Sequence, residues 1–235
     1  MPDGQIIRLQ RRVIRLEDES AERIKDAFDR ARRELVDLLM DRYQRLGSDP
    51  DAAAVRELAR DVGLIRTIEQ RLEELGQQNG VVIRESLSEA QQLGLKVADR
   101  ELEKLAARLS INVSPFTGID PQLPAMVEAI MKQVDSLSER YRINLTNELM
   151  TSLIRGDDFR TIIQRLLAAE PGPEGVSLTR RTKNEADLLA RKVVIEANNA
   201  SRQLIYEEAR SSIEDLKKQA MAVIQPDRTT QTCLK

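Results

Sequence analysis

Glu185-Ala186-Asp187-Leu188-Leu189-Ala190-Arg191-Lys192-Val193-Val194-Ile195-Glu196-Ala197-Asn198-Asn199-Ala200 contains neither Gly nor Pro, and its apolar residues return at helical steps. Ala186, Leu189/Ala190, Val193, Ala197, Ala200, Leu204 and Ile205 stand three or four apart and so share one face of a helix. That face must be covered by another part of the chain or by a partner. Just upstream, Thr182-Lys183-Asn184-Glu185 has the form of a capping box and predicts the helix start. Downstream the pattern breaks into Ala220-Met221-Ala222-Val223-Ile224, the one credible strand, and then into Asp227-Arg228-Thr229-Thr230-Gln231-Thr232-Cys233.

The same spacing runs through the rest of the chain. Gln5 to Leu46 holds no Gly or Pro and carries Leu9, Val13, Leu16, Ile24, Ala27/Phe28, Ala31, Leu35 and Leu38/Leu39, a seam with a four-residue slip near Ser20. One long helix is predicted, with Arg11, Arg12, Arg15, Arg32 and Arg33 among acidic residues on its other side. Gly47-Ser48-Asp49-Pro50 predicts a stop, with Asp49 as the next cap and Pro50 at the first helical position. Residues 51–78 predict a second helix through Val55, Leu58, Val62, Ile65, Ile68, Leu72 and Leu75. A break at Gly76–Gly80 precedes a third helix over 81–109, with Gly94 as its weak point. Asn112 to Pro124 holds Pro115, Gly118, Pro121 and Pro124 and reads as a linker. Ala125 to Ile154 is a fourth helix, Gly156 ends it, and Asp157 caps a short helix over 159–169.

The fold class expected is therefore mostly α: an elongated helical hairpin or bundle, then a small α-rich domain with one or two short C-terminal strands. Residues 1–111 form a long-helix region for protein contact, 112–124 the linker, and 125–235 the second domain. Composition agrees, since 235 residues with 3 % aromatic, no Trp and 32 % charged side chains suit narrow helix seams. A net charge of −2 argues against coating nucleic acid by bulk charge. With no His, imidazole catalysis and His-bound metals are excluded within these residues, and with Cys233 alone there is no internal disulfide. No stretch has the form of a signal peptide or a bilayer span, which predicts a soluble protein made in the cytoplasm and no membrane partner.

Arg191 to Ala200, then Met221 to Ile224, then Asp227-Arg228-Thr229 with Cys233 resembles, in order and spacing, the C-terminal domain of phage head-morphogenesis proteins, the Mu F-like minor head proteins. Gly156-Asp157-Asp158-Phe159 resembles the start of that domain, so the likeness covers Gly156 to Lys235. Thr230 stands where the family often has the first cysteine of a Cys-x-x-Cys pair. Members of the family continue beyond the second, which implies a domain incomplete at Lys235. The resemblance implies a minor head protein inside the head of a tailed bacteriophage, near the portal vertex, acting in head assembly and in DNA packaging or ejection. Its partners would be portal subunits, other head proteins or copies of itself, and no cofactor is implied.

The residues that define the domain are then Glu196, Asn199, Asp227, Arg228, Thr229 and Cys233. Glu196, with Asn198 and Asn199, interrupts an apolar helix, which predicts a buried pairing with Arg228 or Arg202; a catalytic carboxylate is the alternative. The seam of Leu9, Val13, Leu16, Ile24, Phe28, Leu35 and Leu39 is the candidate partner surface. Arg180, Arg181 and Lys183 are the candidate contact with packaged DNA. No residues are assigned to catalysis, to a cofactor or to a metal. Two other readings stand beside this one: a metal-dependent nuclease or transferase whose site is completed beyond residue 235, and a cytoplasmic coiled-coil scaffold, which suits residues 1–110 equally well.

Overall fold

The computed structural model describes residues 4–47, 50–109, 122–168 and 176–212. Its helices are α1 (Gly4–Arg45), α2 (Ala52–Leu58), α3 (Val62–Leu109), α4 (Gln122–Arg155), α5 (Phe159–Ile162), which runs on into a π-helical turn at Ile163–Leu167, and α6 (Leu178–Ser212). Every regular element among the described residues is helical; the expected strand at 220–224 lies outside them.

The long helices alternate in direction. Arg12 meets Glu89 and Arg23 meets Glu85, so α1 and α3 run antiparallel. Ser138 lies against Gly76 and Arg142 near Glu69, which sets α4 antiparallel to α3. Asn198 reaches the Ala90 carbonyl and Arg202 the Glu101 carboxylate, so α6 runs parallel to α3. The result is an up-down-up-down bundle with α3 and α6 side by side at its centre. α1 and α4 flank that pair and meet through long side chains, as at Phe28 and Tyr141, whose ring centroids are 5.5 Å apart. Helices from the two halves of the chain thus share one core, including Ile24, Leu35, Leu72, Leu145, Leu153 and Val193.

Several local expectations are corrected. The break expected at Gly76–Gly80 does not occur, because α3 runs unbroken for 48 residues, about 72 Å at a rise of about 1.5 Å per residue. Those glycines serve packing: a Cβ on Gly76 would stand 3.1 Å from the Ser138 Cβ, and one on Gly94 only 2.5 Å from the Asn198 carbonyl oxygen. Gly94 is therefore a point of close approach to α6 and not a weak point in the helix. The real break falls at Ala59-Arg60-Asp61, where the Asp61 side chain accepts from the Leu64 N–H at 2.9 Å and caps α3. It shifts the helical phase, so Leu64 is buried where Val62, 69 % exposed, had been expected.

Caps move likewise. Asp51, not Asp49, caps α2 by accepting from the Ala54 N–H, and Asp158, not Asp157, caps α5 through the Thr161 N–H. Ser177 caps α6 by accepting from Arg180, while Thr182 sits inside the helix and donates to the Leu178 carbonyl, so the capping-box reading fails. Each expected capper lost to a neighbour that also had a carboxylate or hydroxyl and better placement. α4 opens at Gln122, so Pro124, expected in the linker, stands in its first turn, where a missing N–H costs no helical bond.

The two ends of the bundle differ. At one, α2 and α5 close over the core: Tyr43 stacks at a tilt on Phe159 at 5.3 Å and donates to the Asp157 carbonyl at 3.0 Å. Gly156 ends α4 with φ +79°, and the Ala52 side chain lies so close that a Cβ there would meet it at 2.6 Å. At the other, the last turns of α3 and α6 hold a smaller cluster of Ala98, Leu102, Ile205 and Ala209, with Leu95, Leu105 and Tyr206 packed against it.

Candidate functional site: charged and polar faces of the bundle

The seam offered as a partner surface lies inside the molecule. Leu16, Ile24, Phe28, Leu35 and Leu39 are buried in the chain's own core, and Leu9 and Val13 are half-buried against it. The slip at Ser20 has a physical reason: Ser20 and Ser86 face each other, their hydroxyls 2.7 Å apart, and each also reaches a carbonyl one turn back. A polar pair thus replaces two apolar contacts where α1 crosses α3.

On α6 the apolar spacing holds. Ala186, Ala190, Val193, Ala197 and Ile205 are buried, and Leu189, Ala200 and Leu204 half-buried. Small residues are what the site requires, since Ala90, Gly94 and Ala98 of α3 press on Ala197 and Ser201 with no room for larger side chains. Glu196 and Asn199 point to the surface, and Glu196 pairs only with Lys192, at 3.7 Å one turn back. The expected pairing of Glu196 with Arg202 does not form, because α6 turns Glu196 away from α3 and Arg202 toward Glu101, and the alternative partner Arg228 lies outside the described residues. The buried amide is Asn198, whose Nδ2 donates to the Ala90 carbonyl at 3.4 Å. Arg202 pairs with Glu101 at 3.0 Å, and the Tyr206 hydroxyl donates to the same carboxylate. Asp227, Arg228, Thr229 and Cys233 lie outside the described residues.

The basic cluster at the start of α6 is largely matched by acids of α1. Lys183 pairs with Asp29 at 2.6 Å, and Arg191 with Asp18 at 2.7 Å, Glu17 at 3.4 Å and Asp187 at 3.3 Å. Hydrogen bonding to Asp18, ahead of the nearby charges, raises the Arg191 pKa further. Lys25 bonds Glu22 at 2.8 Å, which raises the lysine and lowers the carboxyl. Arg181 donates to the Val176 carbonyl at 3.0 Å, and Arg180 is half-buried. Of the residues assigned to DNA, Lys183 holds α6 on α1 and Arg181 ties back to the segment just before α6, contacts that spacing within one helix could not disclose.

Two interior features remain. Tyr141 donates to the Thr179 hydroxyl at 2.8 Å, which donates to the Leu166 carbonyl at 2.7 Å, an acceptor of the π-helical turn. Burial pushes the Tyr141 hydroxyl pKa up, and burial with nearby Asp158 and Asp157 pushes Tyr43 up to about 12. Asn79 is buried beside a cavity of about 10 Å³ lined by Phe28, Gly76 and Ser138, with its carbonyl oxygen unpaired. No group of His, Cys, Asp and Glu among the described residues is spaced to hold a metal, and no described helix is long and apolar enough to cross a membrane. No family model matches the chain, and no curated protein or solved structure is similar to it.

Proposed function

We propose that the chain is a minor head protein of a tailed bacteriophage, placed inside the head near the portal vertex, and that it works by binding other head proteins during assembly, with a role in DNA packaging or ejection. What carries the reading is the succession, in one chain, of Gly156-Asp157-Asp158-Phe159, Arg191 to Ala200, Met221 to Ile224, and Asp227-Arg228-Thr229 with Cys233. The bundle is compatible with it: α6, which bears the second of these pieces, packs on both α1 and α3. A cytoplasmic helical scaffold is the second reading, favoured by one observation. The described residues of α1, α2, α3, α4, α5 and α6 bury one shared apolar core.

Particles of a phage that encodes the chain decide between them. The expected result is the chain in purified heads by mass spectrometry, co-purification with the portal protein, and helical density at the portal vertex by cryo-electron microscopy. Heads that lack the chain, with the protein free in the host cytoplasm, overturn the head assignment and leave the scaffold.

A further inference from the structure

The first turns of α1, residues 4–16, carry four arginines, Arg8, Arg11, Arg12 and Arg15, and no acidic residue, in a chain whose net charge is −2. Arg12 is engaged, by Glu19 and Glu89. Arg8, Arg11 and Arg15 are exposed and have no ion pair or hydrogen bond among the described residues; Arg30, Arg66, Arg84 and Arg155 are unpaired too but stand on separate parts of the bundle, whereas Arg23, Arg42, Arg71, Arg142, Arg191 and Arg202 have acidic partners. The three stand at i, i+3 and i+7, so they line one face of the helix. Beside Arg8 an open groove reaches Asp99 and Glu103 of α3, but Glu103 is taken by Arg100 at 2.6 Å.

We propose that Arg8, Arg11 and Arg15 form a binding face for the phosphate backbone of duplex DNA. Arg8 to Arg15 spans about 10.5 Å of helix rise, and a DNA strand offers a phosphate about every 3.4 Å of axis, so the face runs along about three of them. The planar guanidinium matches phosphate oxygens two at a time, which an ammonium does not. Leu9 and Leu16 of this helix are turned into the bundle and no large apolar residue of its first turns is exposed, which disfavours insertion into a bilayer. No large exposed apolar residue lies among residues 4–16, which leaves a protein partner without the anchor that such interfaces need. Contacts of this kind read charge and not sequence. The inference holds wherever the protein works and does not depend on the head assignment.

The test is fluorescence anisotropy of a labelled 30-base-pair duplex with the full chain, in two unrelated sequences, across salt. The expected affinity is equal for both sequences and falls roughly 40-fold between 50 and 200 mM salt, the slope for about three phosphates. The triple variant R8Q/R11Q/R15Q loses at least tenfold in affinity and most of the salt slope, while R180Q/R181Q/K183Q keeps both. Circular dichroism shows that each variant remains helical; should the glutamine triple unfold, R8K/R11K/R15K replaces it and is expected to keep the slope at reduced affinity. The proposal is overturned by no binding at 50 mM salt, by equal loss in the two glutamine triples, or by capture on phosphatidylserine vesicles with none on DNA.

Discussion

The closed end of the bundle and the far end are built from the same helices but do opposite things with them. At the closed end four long helices, α2 and the α5 turn converge, aromatic rings meet, and glycine and aspartate fix the corners. At the far end α3 and α6 hold, among the described residues, the small buried set Ala98, Leu102, Ile205 and Ala209 with Leu95, Leu105 and Tyr206 against it, while α1 shows its arginines to water. A thin core and a dense surface charge go together, because a helix end that buries little has little to lose by displaying charge. Most of the buried apolar surface lies toward the closed end, and the far end is where the proposed DNA face stands.

Truncation should split them most sharply. Leu153→Ala, at a fully buried position of the closed end, is expected to cost about 3–5 kcal/mol in chemical denaturation. Leu102→Ala is expected to cost about 2 kcal/mol or less and to speed amide exchange only in the last turns of α3 and α6. Equal losses would show that the two clusters are one cooperative unit. Next in size are the glycines of α3. Gly94→Val drives a Cβ to 2.5 Å from a backbone oxygen and should cost about 2–3 kcal/mol. Gly80→Ala meets only the ends of Arg84 and Met131 at 3.6 Å, and should gain about 0.5–1 kcal/mol from helix propensity. The reverse order would mean that α3 and α6 are not in close contact.

Alkali, read through a Tyr43 variant, tests the closed end. Tyr43 ionises in the unfolded chain near pH 10 and in the folded protein at about 12, so the folded state holds its proton longer. The stabilisation is complete below pH 10 and is lost as pH rises through 12, since there the unfolded chain binds fewer protons. Melting temperature should therefore fall over that window, and Tyr43→Phe should flatten part of the fall. A variant that falls as steeply as the parent removes Tyr43 from the account.

Much of this was legible before any coordinates. The helix of Gln5 to Leu46, the α6 face from Ala186 to Ile205 and the stop at Gly156 follow from period and from glycine alone. What was not legible depended on contacts between distant segments. Gly76 and Gly94 read as breakers because sequence shows the missing side chain but not the neighbouring helix that requires it. The apolar rhythm of Leu72, Leu75, Ile83, Ala90 and Val97 ran straight through them and was the better guide. The choice among Asp49, Asp51 and Asp61, or between Asp157 and Asp158, turns on a residue or two of placement. The basic residues of α6 were legible as charge but not as partners of Asp18 and Asp29, which lie more than 150 positions away.

That pairing supplies the smallest expected effect. Arg191 bonds Asp18 with its side chain 22 % and the carboxylate 46 % exposed, so water screens the pair and each side chain gives up freedom to make it. A double-mutant cycle of Arg191→Gln and Asp18→Asn should return a coupling of about 0.5–1 kcal/mol that shrinks as salt rises. Arg202 and Glu101, at the far end, are 27 % and 22 % exposed, and Tyr206 donates to the same carboxylate. Their coupling should exceed that of Arg191 with Asp18 and respond less to salt, because less water reaches them. If so, the far end offsets its thin apolar core with a better-shielded charge cluster, and Arg8, Arg11 and Arg15 remain as a row free for a partner. A larger coupling at Arg191 would place the electrostatic stitching of the bundle at the closed half and remove that division of labour.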